Sequence, residues 1–118
     1  MIKFSLNKLN WRNRFYYLKS IVLDEKNLNQ KGSKFQIIRF LPKTKIGPHY
    51  HKCVCEIFYL LKGKGYFIFN GQKFIGKKND IFLCQPKDIH EIINDSSREL
   101  VVLIFKTNEN QKDIFWIK

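Results

Sequence analysis

The sequence predicts an all-β fold, a small antiparallel sandwich or barrel, and three observations carry that prediction. β-branched and aromatic residues dominate the apolar set and alanine is absent, so strand formers occupy the places where helix formers would stand. From Gly47 onward, short apolar runs recur between turn signals, GPHYH, CEIFYLL, GYFIF, QKFI, DIFLC, HEIIN and ELVVLIFK, with no helical stretch between them. Asn70-Gly71 separates two of these runs, and Asn-Gly flanked by alternating apolar residues is the strongest short hairpin signal.

Taken in order, the chain opens on a short polar arm, SLNKLNWRNR. The run FYYLKSIVL follows, with Phe15, Tyr17 and Ile21 alternating against Tyr16, Leu18 and Val22, and reads as an additional strand at the edge of the sheet. DEKNLNQKGSK is a turn and loop stretch, and FQIIRFL is a strand that ends at Pro42. The tail DIFWIK adds a further candidate strand. No repeat, low-complexity stretch or linker interrupts the 118 residues, so residues 1–118 are expected to form one domain, with a core barrel over about 35–106 and an N-terminal arm over 1–34.

Composition narrows the function classes. Twenty-two Lys and Arg against ten Asp and Glu give a net charge of +12, which invites a nucleic-acid reading. The lysines are scattered, however, and no RRM, KH or basic-helix pattern accompanies them, so nucleic acid is not the expected partner and a small anionic ligand is a better match to the positive field. No run approaches the roughly 20 apolar residues a bilayer span needs, and the start MIKFSLNKLNWRNR lacks the apolar core of a signal peptide. No membrane association is expected, and the cytoplasm is the default location. Cys53, Cys55 and Cys84 are odd in number and lack CxxC spacing, which predicts reduced thiols acting as small apolar residues. Cys55 and Cys84 stay candidates for a chemical role.

The chemistry concentrates between positions 49 and 90, where all the histidines lie. His49 and His51 are two apart, so on one strand both imidazoles point to the same face and can grip one ion. Glu56 opens the next run, which is expected to return alongside the first strand and bring a hard oxygen ligand to that ion. His90 comes from a strand much later in the chain. The segment His49-x-His51, four residues, Glu56, six residues, Gly63 resembles the first motif of the cupin superfamily. Asn79, five residues, Gln85-Pro86-Lys87, two residues, His90, three residues, Asn94 is similar to its second.

That resemblance covers about 35–106 and implies a single antiparallel cupin or jelly-roll barrel with His49, His51, Glu56 and His90 as metal ligands. Lys43, Asn79 and Lys87 stand where the family usually has glycines, and Gln85 where it usually has proline. Asn79 is a mild change because asparagine tolerates a left-handed backbone, whereas the two lysines require another turn or some strain. Pro86 still stiffens the approach to His90. Asn94 reads as a turn or hydrogen-bonding residue.

Three imidazoles and a carboxylate suit one divalent transition ion, Fe, Mn, Ni, Co, Cu or Zn, and not calcium. In a six-coordinate ion about two positions would stay open, enough for Lewis-acid chemistry of the oxygenase, isomerase or lyase kind. Phe40, Phe58, Tyr66, Ile68, Phe82 and Ile92 are candidate pocket lining, and Arg39 could hold a carboxylate or phosphate. No carboxylate pair or Ser/His/Asp set is evident. Two readings follow: a metalloenzyme acting on a small polar or anionic molecule, favoured because no helix-turn-helix accompanies the barrel, or a metal-dependent binding or sensing module. A plain structural barrel is the third. The aromatic N-terminal run suggests a two-fold homodimer, and sedimentation at micromolar concentration checks it, a monomer removing the expectation.

Overall fold

The computed structural model describes residues 1–14 and 16–118. The polar arm carries a 3-10 turn at Leu6–Lys8 and a two-residue strand, β1 (Arg12–Asn13). β2 (Tyr17–Leu23) takes up the apolar run; Phe15, part of the same expectation, lies outside the described residues. The stretch expected as loop contains a one-turn helix, α1 (Glu25–Leu28). Asp24 explains it: its carboxylate accepts from the N–H groups of Lys26 and Asn27, while Asn27 returns its side-chain oxygen to the Asp24 N–H, a reciprocal cap on a turn too short to show periodicity. The remaining strands are β3 (Lys34–Phe40), β4 (Thr44–Tyr50), β5 (Cys55–Lys62), β6 (Lys64–Phe69), β7 (Gln72–Lys77), β8 (Ile81–Cys84), β9 (His90–Asn94), β10 (Leu100–Thr107) and β11 (Phe115–Trp116).

These strands form two antiparallel sheets, ordered β1-β2-β3-β10-β5-β8 and β11-β4-β9-β6-β7, the jelly-roll arrangement the sequence suggests. β2 is not outermost, because Arg12 and Asn13 pair with Lys19 and Leu18 beyond it. The expected pairing of the strand bearing His49 with the strand bearing Glu56 is also corrected. β4 pairs with β9 and β11, whereas β5 pairs with β10 and β8, so the chain changes sheets between them. A tight hairpin there would need a turn that closes on itself. The amides of Lys52 and Cys53 instead donate to the distant Asp113 carboxylate, which carries the chain across.

Strand register sorts the inner face of the first sheet into rows. Tyr17 opposes Phe40, which opposes Leu100; Ile38 opposes Val102, which opposes Leu60; Ile104 opposes Phe58, which opposes Phe82. From the facing sheet Ile92 and Phe67 complete the buried core, and the Phe67 and Phe82 rings stack at 4.8 Å. Each large apolar side chain buried there contributes about 2 kcal/mol, so the fold rests on this apolar cluster and not on the polar groups described below. Asn94 is wholly buried and ties the edge of the core, donating to the carbonyls of Phe40, Leu41 and Arg98 and accepting from Ser96.

The turns keep their left-handed backbone in spite of the substitutions. Lys43, Asn79 and Lys87 have φ of 63°, 77° and 74°, a conformation that costs a non-glycine residue on the order of 1 kcal/mol. Local bonds offset that cost: the Lys43 ammonium donates to the Asp95 carbonyl, Asn79 accepts from the Tyr59 hydroxyl at 2.9 Å, and the Lys87 N–H donates to the His51 carbonyl at 2.6 Å. Asn70 and Gly71, at φ 51° and 82°, make the hairpin turn their sequence predicts. Gly63 is the most constrained turn residue, with φ 82° and the Glu99 carbonyl oxygen 2.3 Å from where a Cβ would stand. Gly63→Ala is therefore expected to cost about 2 kcal/mol or more, read as a lower urea midpoint.

Candidate metal centre

Beside the apolar core, both sheets place polar rows on their inner faces. In one sheet Lys34 opposes Lys106, which opposes Glu56, which opposes Cys84. In the other Trp116 opposes His49, which opposes His90. His51 follows β4 by one residue and joins them. The structure thus brings together all four residues singled out in the sequence. One ring nitrogen from each of His49, His51 and His90 lies within 4.8 Å of the other two. Glu56 Oε1 lies 3.0 Å from His51 Nε2 and 3.3 Å from His90 Nε2. All four are buried, at 8, 8, 3 and 3 % exposure.

Each imidazole is fixed from behind by a backbone carbonyl. Nδ1 of His49 meets the Gly47 oxygen at 2.9 Å, that of His51 meets Asp113 at 2.6 Å, and that of His90 meets Asp88 at 3.0 Å. A carbonyl can only accept, so Nδ1 carries a proton in all three rings and Nε2 is the nitrogen left to face inward, a lone pair whenever the ring is neutral. Glu56 Oε1 is fully buried with no hydrogen-bond partner among the described residues. Acceptors converging in a buried space repel unless a cation lies between them, and a mixed imidazole and carboxylate set fits a divalent transition ion.

The electrostatics follow from the same geometry. Burial and the neighbouring His90 push the His49 pKa down to about 4, which keeps that imidazole neutral. Burial opposes charge on His51 too, but the Glu56 carboxylate and the Asp113 carbonyl outweigh it and raise its pKa. Burial likewise works against ionised Glu56, yet His51, His90 and the Lys106 ammonium hold its carboxyl well below the usual range. Cys84 Sγ lies with Glu56 and His90 in a second group within 4.8 Å, and burial and the Glu56 carboxylate push its pKa up. Cys53, Cys55 and Cys84 are all free, as their spacing predicts.

A cavity of about 140 Å³ opens onto the four residues, walled by Tyr17, Ile38, Ile46, Phe58, Ile92 and Trp116 among others. Phe58 and Ile92 were expected there. Phe40 belongs instead to the apolar core and Phe82 packs against it, while Tyr66 and Ile68 share the face of β6 opposite buried Phe67. Arg39 also faces away: its guanidinium makes a 2.6 Å ion pair with Glu99 and lies over the Trp11 ring. Alternation along β3 gives the reason, since Gln36, Ile38 and Phe40 form its inward set and Arg39 falls between them. The same counting points to Gln36, and across the register to Lys106 and Lys19, as the polar residues of the cavity.

Asp113, Ile114 and Trp116 could not be placed from local pattern, because only the pairing of β11 with β4 delivers the tail to the site. Lys19 carries a cost there. Burial, then Lys106, Lys34 and Arg14, lower its pKa from 10.5 to about 8. Between those values the unfolded chain binds a proton that the folded chain has released, so stability rises as pH climbs through that window, and below it the full cost of the charge is carried. Lys19→Met is expected to be more stable than wild type near pH 7 and to lose that rise, as urea midpoints at about pH 7 and pH 10 will show.

Comparison with known proteins agrees with this architecture. An oxalate-binding protein of Thermotoga maritima is 28% identical over 82 residues, 70% of this chain and 68% of that protein. An uncharacterized HTH-type transcriptional regulator, YfiF, of Bacillus subtilis is 30% identical over 63 residues, 53% of this chain but only 20% of the regulator. Among solved structures, the polyketide cyclase RemF of Streptomyces resistomycificus superposes with a TM-score of 0.87 at 11% identity, covering 100% of this chain and 86% of that one. A predicted oxalate decarboxylase of Thermotoga maritima gives 0.73 at 24% identity, covering 77% and 79%. At such identities the structures share the fold alone. The family model for the cupin domain, Cupin_2, matches residues 36–106, most of the two sheets and all four clustered residues, and the chain belongs to that family.

Proposed function

We propose that the chain is a metal-dependent cupin enzyme acting on a small polar or anionic molecule, with His49, His51, Glu56 and His90 as the ligands of one divalent ion. The observation that carries this reading is the set of three imidazoles, each tethered through Nδ1 and each offering a ring nitrogen within 4.8 Å of the other two, with the orphaned Glu56 Oε1 3.0 Å from His51 Nε2 and 3.3 Å from His90 Nε2. A divalent transition ion held there, Fe, Mn, Ni, Co, Cu or Zn, supplies Lewis acidity toward an oxygen of the bound molecule. The protein's own part is to orient and to exclude water. The three carbonyls fix the rings, and Ile38, Ile46, Phe58 and Ile92 dry the cavity.

A structural ion would be enclosed by the protein, whereas here a cavity reaches the ligand set. The relatives named for oxalate binding and for oxalate decarboxylation support a small anionic molecule. The likeness to a transcriptional regulator supports the second reading, a metal-dependent sensing module. A two-fold dimer through the N-terminal segment belongs to the same proposal, since Ile2, Phe4, Leu6 and Tyr16 are exposed there.

The test pairs metal-loaded protein with small carboxylates, sugar phosphates and catechols, with and without dioxygen, while product formation and the metal spectrum are followed. Turnover that disappears in Glu56→Gln or His90→Ala is the expected result. A spectrum that responds to ligand without product under any condition favours the sensing module. Indifference to every compound contradicts both.

A further inference from the structure

A polar diagonal crosses the inner face of the first sheet and ends at the clustered histidines and Glu56. Register places Lys19 opposite Ile38 and Gln36 two residues before Ile38 on the same strand. It then places Gln36 opposite Ile104, with Lys106 two residues further along β10 and directly opposite Glu56. Diagonal neighbours of this kind are about 7 Å apart, within reach of long side chains. Lys19, Gln36 and Lys106 therefore step from β2 through β3 to β10, and all three line the cavity that holds His49, His51, Glu56 and His90.

Polar groups in such a place need a physical account. Gln36 is 1% exposed, and its carbonyl oxygen has no hydrogen-bond partner among the described residues, a defect that costs stability unless an occupant supplies a donor. Lys106 has Glu56 Oε2 3.9 Å away, beyond hydrogen-bond distance. No ion pair to Lys19 is found among the described residues, and the positive charges of Lys106, Lys34 and Arg14 crowd it. The same lysines also face an outer vestibule of about 350 Å³, where Arg12, Arg14 and Lys34 join them. Lys34 is neutralised by Glu109 at 3.0 Å, and Asp113 is engaged by backbone amides. Five cationic side chains, Arg12, Arg14, Lys19, Lys34 and Lys106, thus outnumber the two carboxylates Glu109 and Asp113 along the vestibule, and the net positive field draws anions inward.

We propose that Lys19, Gln36 and Lys106 form a subsite for a small hydroxycarboxylate, its carboxylate held between the two ammonium groups and its hydroxyl donating to the Gln36 carbonyl oxygen. This rests on the metal-dependent reading above and adds the ligand's chemical class. Size agrees: a cavity of about 140 Å³ is below the roughly 300 Å³ at which drug-sized pockets begin, which selects molecules of a few heavy atoms. Charge-assisted hydrogen bonds from two desolvated lysines make the carboxylate essential, and the unpaired acceptor makes a ligand with a donor preferable to one without.

The test is calorimetric titration of glycolate, acetate and the uncharged glycolamide into cobalt-loaded and metal-free protein. Loaded wild type is expected to bind glycolate at least about tenfold more tightly than glycolamide, and more tightly than acetate. Lys19→Gln and Lys106→Gln should each weaken glycolate by about tenfold with cobalt stoichiometry unchanged, Lys19→Arg should restore most of it, and Gln36→Leu should erase the preference over acetate. Equal binding of glycolate and glycolamide, or wild-type affinity in both lysine variants, overturns the subsite while leaving the metal reading intact. Failure to bind cobalt overturns the metal reading instead. The metal-free protein then decides the subsite: lysine-dependent glycolate binding supports it, and no binding overturns it.

Discussion

Replacing His51 with alanine is expected to strip the protein of its metal, with content after purification falling from about one ion per chain to a small fraction of that, a loss of affinity of about a hundredfold or more. The imidazole is buried, tethered by the Asp113 carbonyl and 3.0 Å from Glu56, so its loss leaves the cluster one oriented nitrogen short. The fold should survive, because His51 is not part of the apolar cluster that holds the two sheets together. Elemental analysis measures the loss, and circular dichroism with a urea melt shows whether the strands remain. Wild-type metal content in this variant would contradict the ligand assignment.

Asp113→Ala is expected to weaken metal binding without touching any ligand, by about tenfold to a hundredfold. The Asp113 carboxylate accepts from the Lys52 and Cys53 amides at 2.7 and 2.8 Å, while its carbonyl holds His51 Nδ1. Those two amides keep the carboxyl below its usual pKa. Without the carboxylate, the tail that also brings Trp116 against the His49 ring at 4.6 Å is fastened mainly by the short β4 and β11 pairing. Asp113→Asn retains one acceptor and should fall between alanine and wild type. Cobalt titration followed by absorbance measures all three. Equal affinities would mean that the tail does not orient His51.

The cluster of four residues was legible in the sequence because its spacing is local: His49 lies near the end of β4 with His51 just past it, Glu56 opens the next strand, and His90 starts a third. The hairpin at Asn70-Gly71 and the odd, unpaired cysteines were legible for the same reason. What escaped depends on which strands meet. Glu56 reaches the histidines from the facing sheet and not from an adjacent strand, a consequence of the crossing between β4 and β5 that alternation alone does not encode. Lys19, Gln36, Lys106 and Asp113 become neighbours of the site only through pairings between segments far apart in the chain. Arg39 was chosen for its chemistry, yet one place along a strand reverses the face, and Gln36 holds the inward position. α1 was hidden because one capped turn leaves no periodic trace.

The most direct measurement is an anomalous-difference map from crystals of protein purified without added metal, with data collected on either side of the absorption edge of the element found by fluorescence. A single peak per chain is expected, about 2.0–2.2 Å from Nε2 of His49, His51 and His90 and from an oxygen of Glu56. A map with no peak among these four residues, or with the ion bound elsewhere, would contradict it.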